Sequence, residues 1–411
     1  MKVDRSTEDA AGIALDRRRI LPVFLIVCTY SAGAAAILPV LPFLIQSMGG
    51  SPLVIGIVIT AEAIGQFASA PVLGLLSDRF GRRRVLMMSQ VIAAVSLVLL
   101  AFAPGVAFIL LARIMFGLTA GNVSVTAAYV ADHTHAGNRR QAMGFLMAGA
   151  GLGGIVGAGL SGLLSHTSLN APVLAALGLV IASAVITELR LDDERAAGGI
   201  GHHSQAETAS FRAIVASPAI GILVAVMLCH VFAYGMYISQ LPVFLGETFV
   251  WNGHAFGAKE FSYLIMADGA INILVQIFML GWLGRYLTER SMILLIFTFI
   301  CLGFVTAGLA TTIPALALAV LCVSTGDALA KPTYLAALST LVPPQRQGIV
   351  LGAAQSLTAV ADIVSPVLAG FILGYALYGI WIGAAVAVAA TGAVIAATLL
   401  HIRAETPRCD M

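Results

Sequence analysis

Apolar runs long enough to cross a lipid bilayer recur twelve times along this chain, and that repetition excludes most soluble folds. A spanning helix needs about 20 predominantly apolar residues. The sequence supplies such segments at roughly 20–45, 54–77, 85–103, 107–131, 141–165, 171–189, 218–243, 262–283, 292–311, 314–341, 349–374 and 378–401. Lipid offers no partner to a backbone amide, so each segment is expected to be a helix. Composition agrees: the 411 residues are 59% hydrophobic and only 10% charged, against about 25% charged in a soluble domain.

An even number of spans puts both termini on one side of the membrane. Of the 22 Lys and Arg residues, all but Lys259, Arg113 and Lys331 fall on that side. Basic residues are retained inside the cell, so both termini are expected in the cytoplasm of a bacterial-type plasma (inner) membrane. The polar start, residues 1–19, reads as a cytoplasmic segment with no cleavable signal peptide. The net charge of +2 gives no reason to expect a nucleic-acid partner. Five cysteines, Cys28, Cys229, Cys301, Cys322 and Cys409, show no C-x-x-C spacing and read as small hydrophobes.

The longest polar interruption, DDERAAGGIGHHSQAETASFRAIVA at 192–216, divides the spans six and six. The expected organisation is therefore a helical bundle at 20–191, a cytoplasmic linker at 192–216, a second bundle at 217–403 and a tail at 404–411. His202-His203 in the linker reads as a solvated pair, not a metal site. The halves repeat weakly but in register: Leu41-Pro42 with Leu241-Pro242, Gly74 with Gly281, Gly121 and Tyr129 with Gly326 and Tyr334, Ile155-Val156 with Ile363-Val364. Two parallel repeats with a binding site between them are a transporter architecture. The lone G-x-G-x-x-G at Gly149, Gly151 and Gly154 lacks the strand that dinucleotide binding requires. Gly149, Gly153 and Gly157 recur every four residues, a spacing that lets helices approach closely and suits a sliding interface between halves. No Walker A lysine motif and no nucleophile-base constellation appears, so neither ATP drive nor an enzyme is indicated, and no metal or other cofactor is expected.

The stretch Gly74-Leu-Leu-Ser-Asp78-Arg79-Phe-Gly81-Arg82-Arg83-Arg84 matches the loop 2–3 signature of the major facilitator superfamily, G-x-L-[SA]-D-R-x-G-R-[KR]-x. Arg113 in LARIMFGLTAG is similar to the signature arginine of span 4. APVLGLLSDRFGRRRVL, AYVAD and RQG before span 11 most resemble the drug/proton antiporter branch, especially tetracycline exporters. Departures stand beside these matches. Arg285 occupies the place of Asp78 in the second half, and span 5 reads Gly157-Ala158-Gly159 where the antiporters have G-P. Tyr30 and Ser96 stand where tetracycline exporters carry aspartates.

The resemblance implies an all-α membrane protein with twelve transmembrane helices in two pseudo-symmetric six-helix bundles, the major facilitator fold. It implies a secondary transporter, with proton-coupled efflux of a small amphipathic compound by alternating access as the leading expectation. A facilitator or proton symporter for a metabolite or siderophore-like molecule is the alternative. A non-transporting receptor or membrane-embedded enzyme is the reading from a different class. The expected partners are a small-molecule substrate, protons and the bilayer, with the monomer as the working unit.

Charges inside spans are costly and mark function by default. Glu62, Asp268, Asp327 and Asp362 are the candidates for proton coupling. Asp327 and Lys331 stand four apart on one helix face, so a neutralised pair that locks the helix competes with a proton role. Arg113, Asn122, Gln66, Tyr30, Tyr234, Gln240, Gln276, Lys331 and Gln355 are candidates for the substrate cavity. His230 and Asn272 add polar groups, with plain interior packing the competing reading for His230. Gly74, Asp78, Arg79, Gly81 and Arg82 are expected to form a conformational latch between bundles.

Overall fold

The computed structural model describes residues 17–134, 136–191, 217–251, 253–342 and 347–400. The expected segments 1–19, 192–216 and 404–411 lie outside these residues, apart from the helical backbone of 17–19. The described chain is almost entirely helical. The first half contains α1 (Arg17–Ile37), α2 (Leu41–Ser47), α3 (Pro52–Phe80), α4 (Arg82–Ala101), α5 (Val106–Gly117), α6 (Asn122–Asp132), α7 (Ala136–Leu164) and α8 (Ala171–Arg190). The second contains α9 (Pro218–Thr248), a minimal hairpin of β1 (Val250–Trp251) and β2 (His254–Ala255), α10 (Ala258–Leu274), α11 (Leu280–Tyr286), α12 (Glu289–Leu309), α13 (Ile313–Leu341), α14 (Gln347–Gly374) and α15 (Tyr378–Thr398).

Eleven of the described helical segments are long and apolar enough to cross a membrane. The fourth expected span, 107–131, differs: it is two helices in series, α5 and α6. The chain tightens between them, with Thr119 N bonding Phe116 O and Asn122 N bonding Thr119 O in three-residue steps. Gly117 and Gly121 bracket the break, and glycine is a poor helix former. Thr119 adds a side-chain bond to Phe116 O at 2.6 Å, a competing local partner for the helix backbone. A second irregularity is a π-helical turn, Val275–Met279, between α10 and α11.

Two compact units emerge. Unit 1 comprises residues 1–50, 61–200 and 256–266; unit 2 comprises 51–60, 201–255 and 267–411. The helices of each unit associate in the same order. In unit 1, α1 packs on α7 and α8, and α4 on α8. In unit 2, α9 packs on α14 and α15, and α12 on α13 and α15. The weak sequence repeat thus corresponds to a repeated packing scheme. The unit 1 core gathers Val23, Ile26, Val27, Leu86, Val125 and Leu146. In unit 2, Trp381 is fully buried, donates Nε1–H to Met236 O at 2.9 Å and stacks with Tyr237.

The glycine face of α7 does not serve as the expected interface between halves. Gly149, Gly153 and Gly157 lie against Phe24, Cys28 and Ala32 of α1, within unit 1. The four-residue periods of the two helices run side by side, so the missing side chains let α1 backbone carbonyls approach α7 directly.

Candidate functional site

Unit 2 forms an open cavity of about 380 Å³ whose lining mixes polar and charged side chains with apolar ones, where membrane-spanning helices would otherwise be apolar. Four helices and the π turn build it. His230 and Tyr234 project from α9, and Asn272 from α10. Asp327, Lys331 and Tyr334 come from α13, and Gln355, Thr358 and Asp362 from α14. Each set recurs at three- or four-residue spacing, so each helix turns one face to the cavity. Gln276 falls within the π turn and donates to Asn272 Oδ1 at 2.6 Å. Single π turns commonly occur at functional sites.

Asp327 does not pair with Lys331, as its helical spacing suggested. Its Oδ1 meets His230 Nε2 at 3.3 Å. His230 is 3% exposed, its Nδ1 has no hydrogen-bond partner among the described residues, and its ring stands edge-on to Tyr334. Lys331 and Asp362 line the same cavity, and neither forms a hydrogen bond or ion pair with a described residue. Asp268 lies outside the cavity lining and accepts from Ser324 Oγ at 2.5 Å. Gln240 is fully buried and donates to Pro52 O at 3.3 Å.

Unit 1 gathers the remaining candidates around the α5–α6 break. Arg113, 1% exposed, forms an ion pair with Glu62 and lies over the Phe116 ring at 4.9 Å. Gln66 donates to the other carboxylate oxygen of Glu62 at 3.2 Å. Tyr30 is buried, bonds Thr119 Oγ1 at 2.8 Å and stacks on Phe116. Asn122 is also buried, and its Oδ1 accepts from Ser89. Tyr30 is thereby tied to the helix break through Thr119, and Asn122 to Ser89 of α4.

The GLLSDRFGRRR stretch ends α3 and starts α4. Gly81, with φ 94°, makes the turn between them, a conformation that a side chain disfavours. Arg82 Nη1 meets Asp78 Oδ1 at 2.6 Å, and its Nε meets Asp132 Oδ2 at 3.2 Å. Arg82 also donates to Ser77 Oγ, which donates to Gly74 O. Arg79 lies over the Phe80 ring at 5.3 Å, and Arg83 pairs with Glu188 at 2.6 Å. Asp132 belongs to this network but not to the expected latch; its signal in the sequence is the AYVAD segment. Ser324 and Thr358 are likewise absent from the sequence-derived candidates. Thr358 stands four residues before Asp362 on the same helix face, which is the cue that points to it. Among the described residues, no group of three or more His, Cys, Asp or Glu side chains is placed to hold a metal ion.

The helical units, their repeated packing and the polar cavity between spanning helices define a multi-pass membrane transporter. The chain belongs to the Major Facilitator Superfamily, whose family model matches residues 23–366. It is 30% identical over 355 residues to the tetracycline resistance protein, class G, of Vibrio anguillarum, covering 83% of this chain and 87% of the relative. The class C tetracycline resistance protein of Escherichia coli is 29% identical over 80% of this chain and 83% of its own. Multidrug resistance protein 2 of Bacillus subtilis (strain 168) is 26% identical over 79% and 81%. The similarity to tetracycline resistance proteins therefore extends along most of the chain. Among solved structures, the nucleoside transporter NupG matches with a TM-score of 0.75 at 14% identity, covering 92% of this chain and 98% of that one. The human organic anion transporter MFSD10 (TETRAN) matches with a TM-score of 0.66 at 21% identity, covering 93% and 100%. At such identities the two structures speak to fold alone.

Proposed function

We propose that this protein is a proton-coupled exporter of small amphipathic compounds, working by alternating access in a bacterial inner membrane with both termini in the cytoplasm. The sequence halves 20–191 and 217–403 act as the alternating bundles of a functional monomer. The carrying observation is the unit 2 cavity, where Asp327 and Asp362 stand within spanning helices beside His230, Lys331 and neutral hydrogen-bonding groups. A carboxylate in such a cavity can exchange a proton while water reaches it, and a charge left there is costly once water is excluded. That alternation links proton movement to cavity opening. Glu62, paired with Arg113, and Asp268, bonded to Ser324, are additional sites at which protonation would weaken a charge-assisted contact. The tetracycline and multidrug resistance proteins among its relatives support efflux as the direction. The network around Asp78 and Arg82 is assigned to the conformational cycle.

Reconstitution tests this reading. Purified protein in liposomes with an internal pH dye should move protons when a transported compound is added to one side. Compound flux without proton movement, persisting when Glu62, Asp268, Asp327 and Asp362 are each replaced by their amides, would overturn proton coupling.

A further inference from the structure

We infer that the unit 2 cavity takes a zwitterionic substrate, with Lys331 meeting its anionic group and Asp362 its cationic group. This inference rests on the transporter reading above and specifies its substrate class. Three charged side chains and one histidine face the cavity; Lys331 and Asp362 are exposed in it, and of the three only Asp327 has a hydrogen-bond partner among the described residues. Asp327 is held by His230 at 3.3 Å. Lys331 and Asp362 make no hydrogen bond or ion pair with any described residue, and they do not approach each other within the 4.0 Å of an ion pair. One is on α13 and the other on α14, both in the lining of the same cavity.

An ammonium and a carboxylate inside spanning helices are costly unless water or an opposite charge reaches them. Both are served at once by a ligand that carries the complementary charges at separate positions. Each contact is then a charge-assisted hydrogen bond, roughly twice as strong as a neutral one. A monocation at Asp362 leaves Lys331 without an anionic ligand group, and a monoanion at Lys331 leaves Asp362 without a cationic one. Gln276, Gln355 and Thr358 add neutral hydrogen-bonding groups to the same lining. The volume, about 380 Å³, lies within the range of about 300–1,000 Å³ usual for small-molecule sites.

The test uses the full-length protein in an efflux-deficient bacterial host. Its probes are norfloxacin (a zwitterion), the ethyl ester (a cation) and the N-acetyl derivative (an anion), within a wider panel of zwitterions, single-charge compounds and neutral compounds. Protein-dependent efflux should fall among the zwitterions. Lys331→Gln and Asp362→Asn should each reduce it about tenfold or more, and Lys331→Gln should shift preference toward cations. If either variant fails to insert, Lys331→Arg and Asp362→Glu retain the charges, and the wild-type preference among charge classes still decides the case. Efflux of cations or neutral compounds that is indifferent to Lys331→Gln would overturn the inference and leave transport standing. Zwitterion efflux indifferent to both neutralising substitutions would overturn the assignment of Lys331 and Asp362. No efflux of any class by correctly inserted wild-type protein would overturn the export reading itself and this inference with it.

Discussion

Arg113 of α5 and Glu62 of α3 form an ion pair within unit 1, the arginine 1% exposed and the glutamate 13%. Glu62 is the arginine's charged partner there, while Arg113 Nε and Nη1 have no hydrogen-bond acceptor among the described residues. Removing one member of such a pair strands a buried charge and costs about 3–5 kcal/mol, whereas replacing both with apolar groups is often neutral. Glu62→Gln should therefore lower unfolding stability in detergent by about that amount. The double variant Glu62→Leu/Arg113→Met should recover most of it. Denaturant titration of the wild type, the single variants and the double variant checks this; additive losses would show that the two side chains do not act as a pair.

The close seam between α1 and α7 makes a sharper steric prediction. A methyl group at Gly153 would meet the Cys28 carbonyl, and one at Gly157 the Ala32 carbonyl. Both obstacles are backbone atoms, which cannot move aside as a side-chain tip can. Gly153→Ala and Gly157→Ala should each cost about 1–3 kcal/mol by overpacking. Gly154, one residue away, has open space where its side chain would be. Gly154→Ala should be neutral or gain up to about 1 kcal/mol from helix propensity. Thermal unfolding of the three variants in one detergent separates these outcomes.

Eleven of the twelve expected spans are legible in the amino-acid sequence as long apolar helices, because hydrophobic length is a property of one segment. Features that depend on which segments meet are not legible in the same way. Asp327 sits one helical turn from Lys331, yet its partner is His230, 97 residues away in sequence. Local spacing offers a neighbour, and tertiary packing decides whether it is used. The glycine spacing on α7 correctly marks a close helix contact but not the partner helix. The break at 118–121 and the π turn at Val275–Met279 are hidden because single-turn irregularities leave hydropathy unchanged. Glu62 and Arg113 each stand out in sequence as an isolated charge; nothing in their separation of 51 residues announces that they pair.

The His230–Asp327 contact gives the proton-coupling reading a specific variant. Asp327→Asn keeps the shape of the side chain and its ability to bond the imidazole but removes the charge and the titration. If Asp327 carries the coupled proton, substrate-driven proton movement in liposomes should fall at least about tenfold, the loss that removal of one charge-assisted hydrogen bond commonly brings. Counterflow exchange of labelled substrate, which needs no net proton transfer, should survive. His230→Gln should retain more proton movement than Asp327→Asn, since it removes the partner and leaves the acid. Equal proton movement in Asp327→Asn and wild type would assign coupling elsewhere among the acids.

Asp78 offers a separation of stability from turnover. Its carboxylate meets Arg82 at 2.6 Å while remaining 41% exposed, and Asp132, 46% exposed, holds the same arginine. Exposed ion pairs contribute about 0–1 kcal/mol, so Asp78→Asn should change unfolding stability by less than about 1 kcal/mol. Membrane insertion should also persist, because Arg82, Arg83 and Arg84 still supply the positive charge that sets topology. If the Asp78–Arg82–Asp132 network serves the transport cycle, the same variant should nonetheless transport at least about tenfold more slowly, a barrier increase of about 1.4 kcal/mol. Asp132→Asn should produce a similar loss, since it frees the same arginine from its other side. Initial rates in liposomes, normalised to inserted protein, provide the comparison. Wild-type turnover in both variants would reduce the network to a structural tie at the α3–α4 turn.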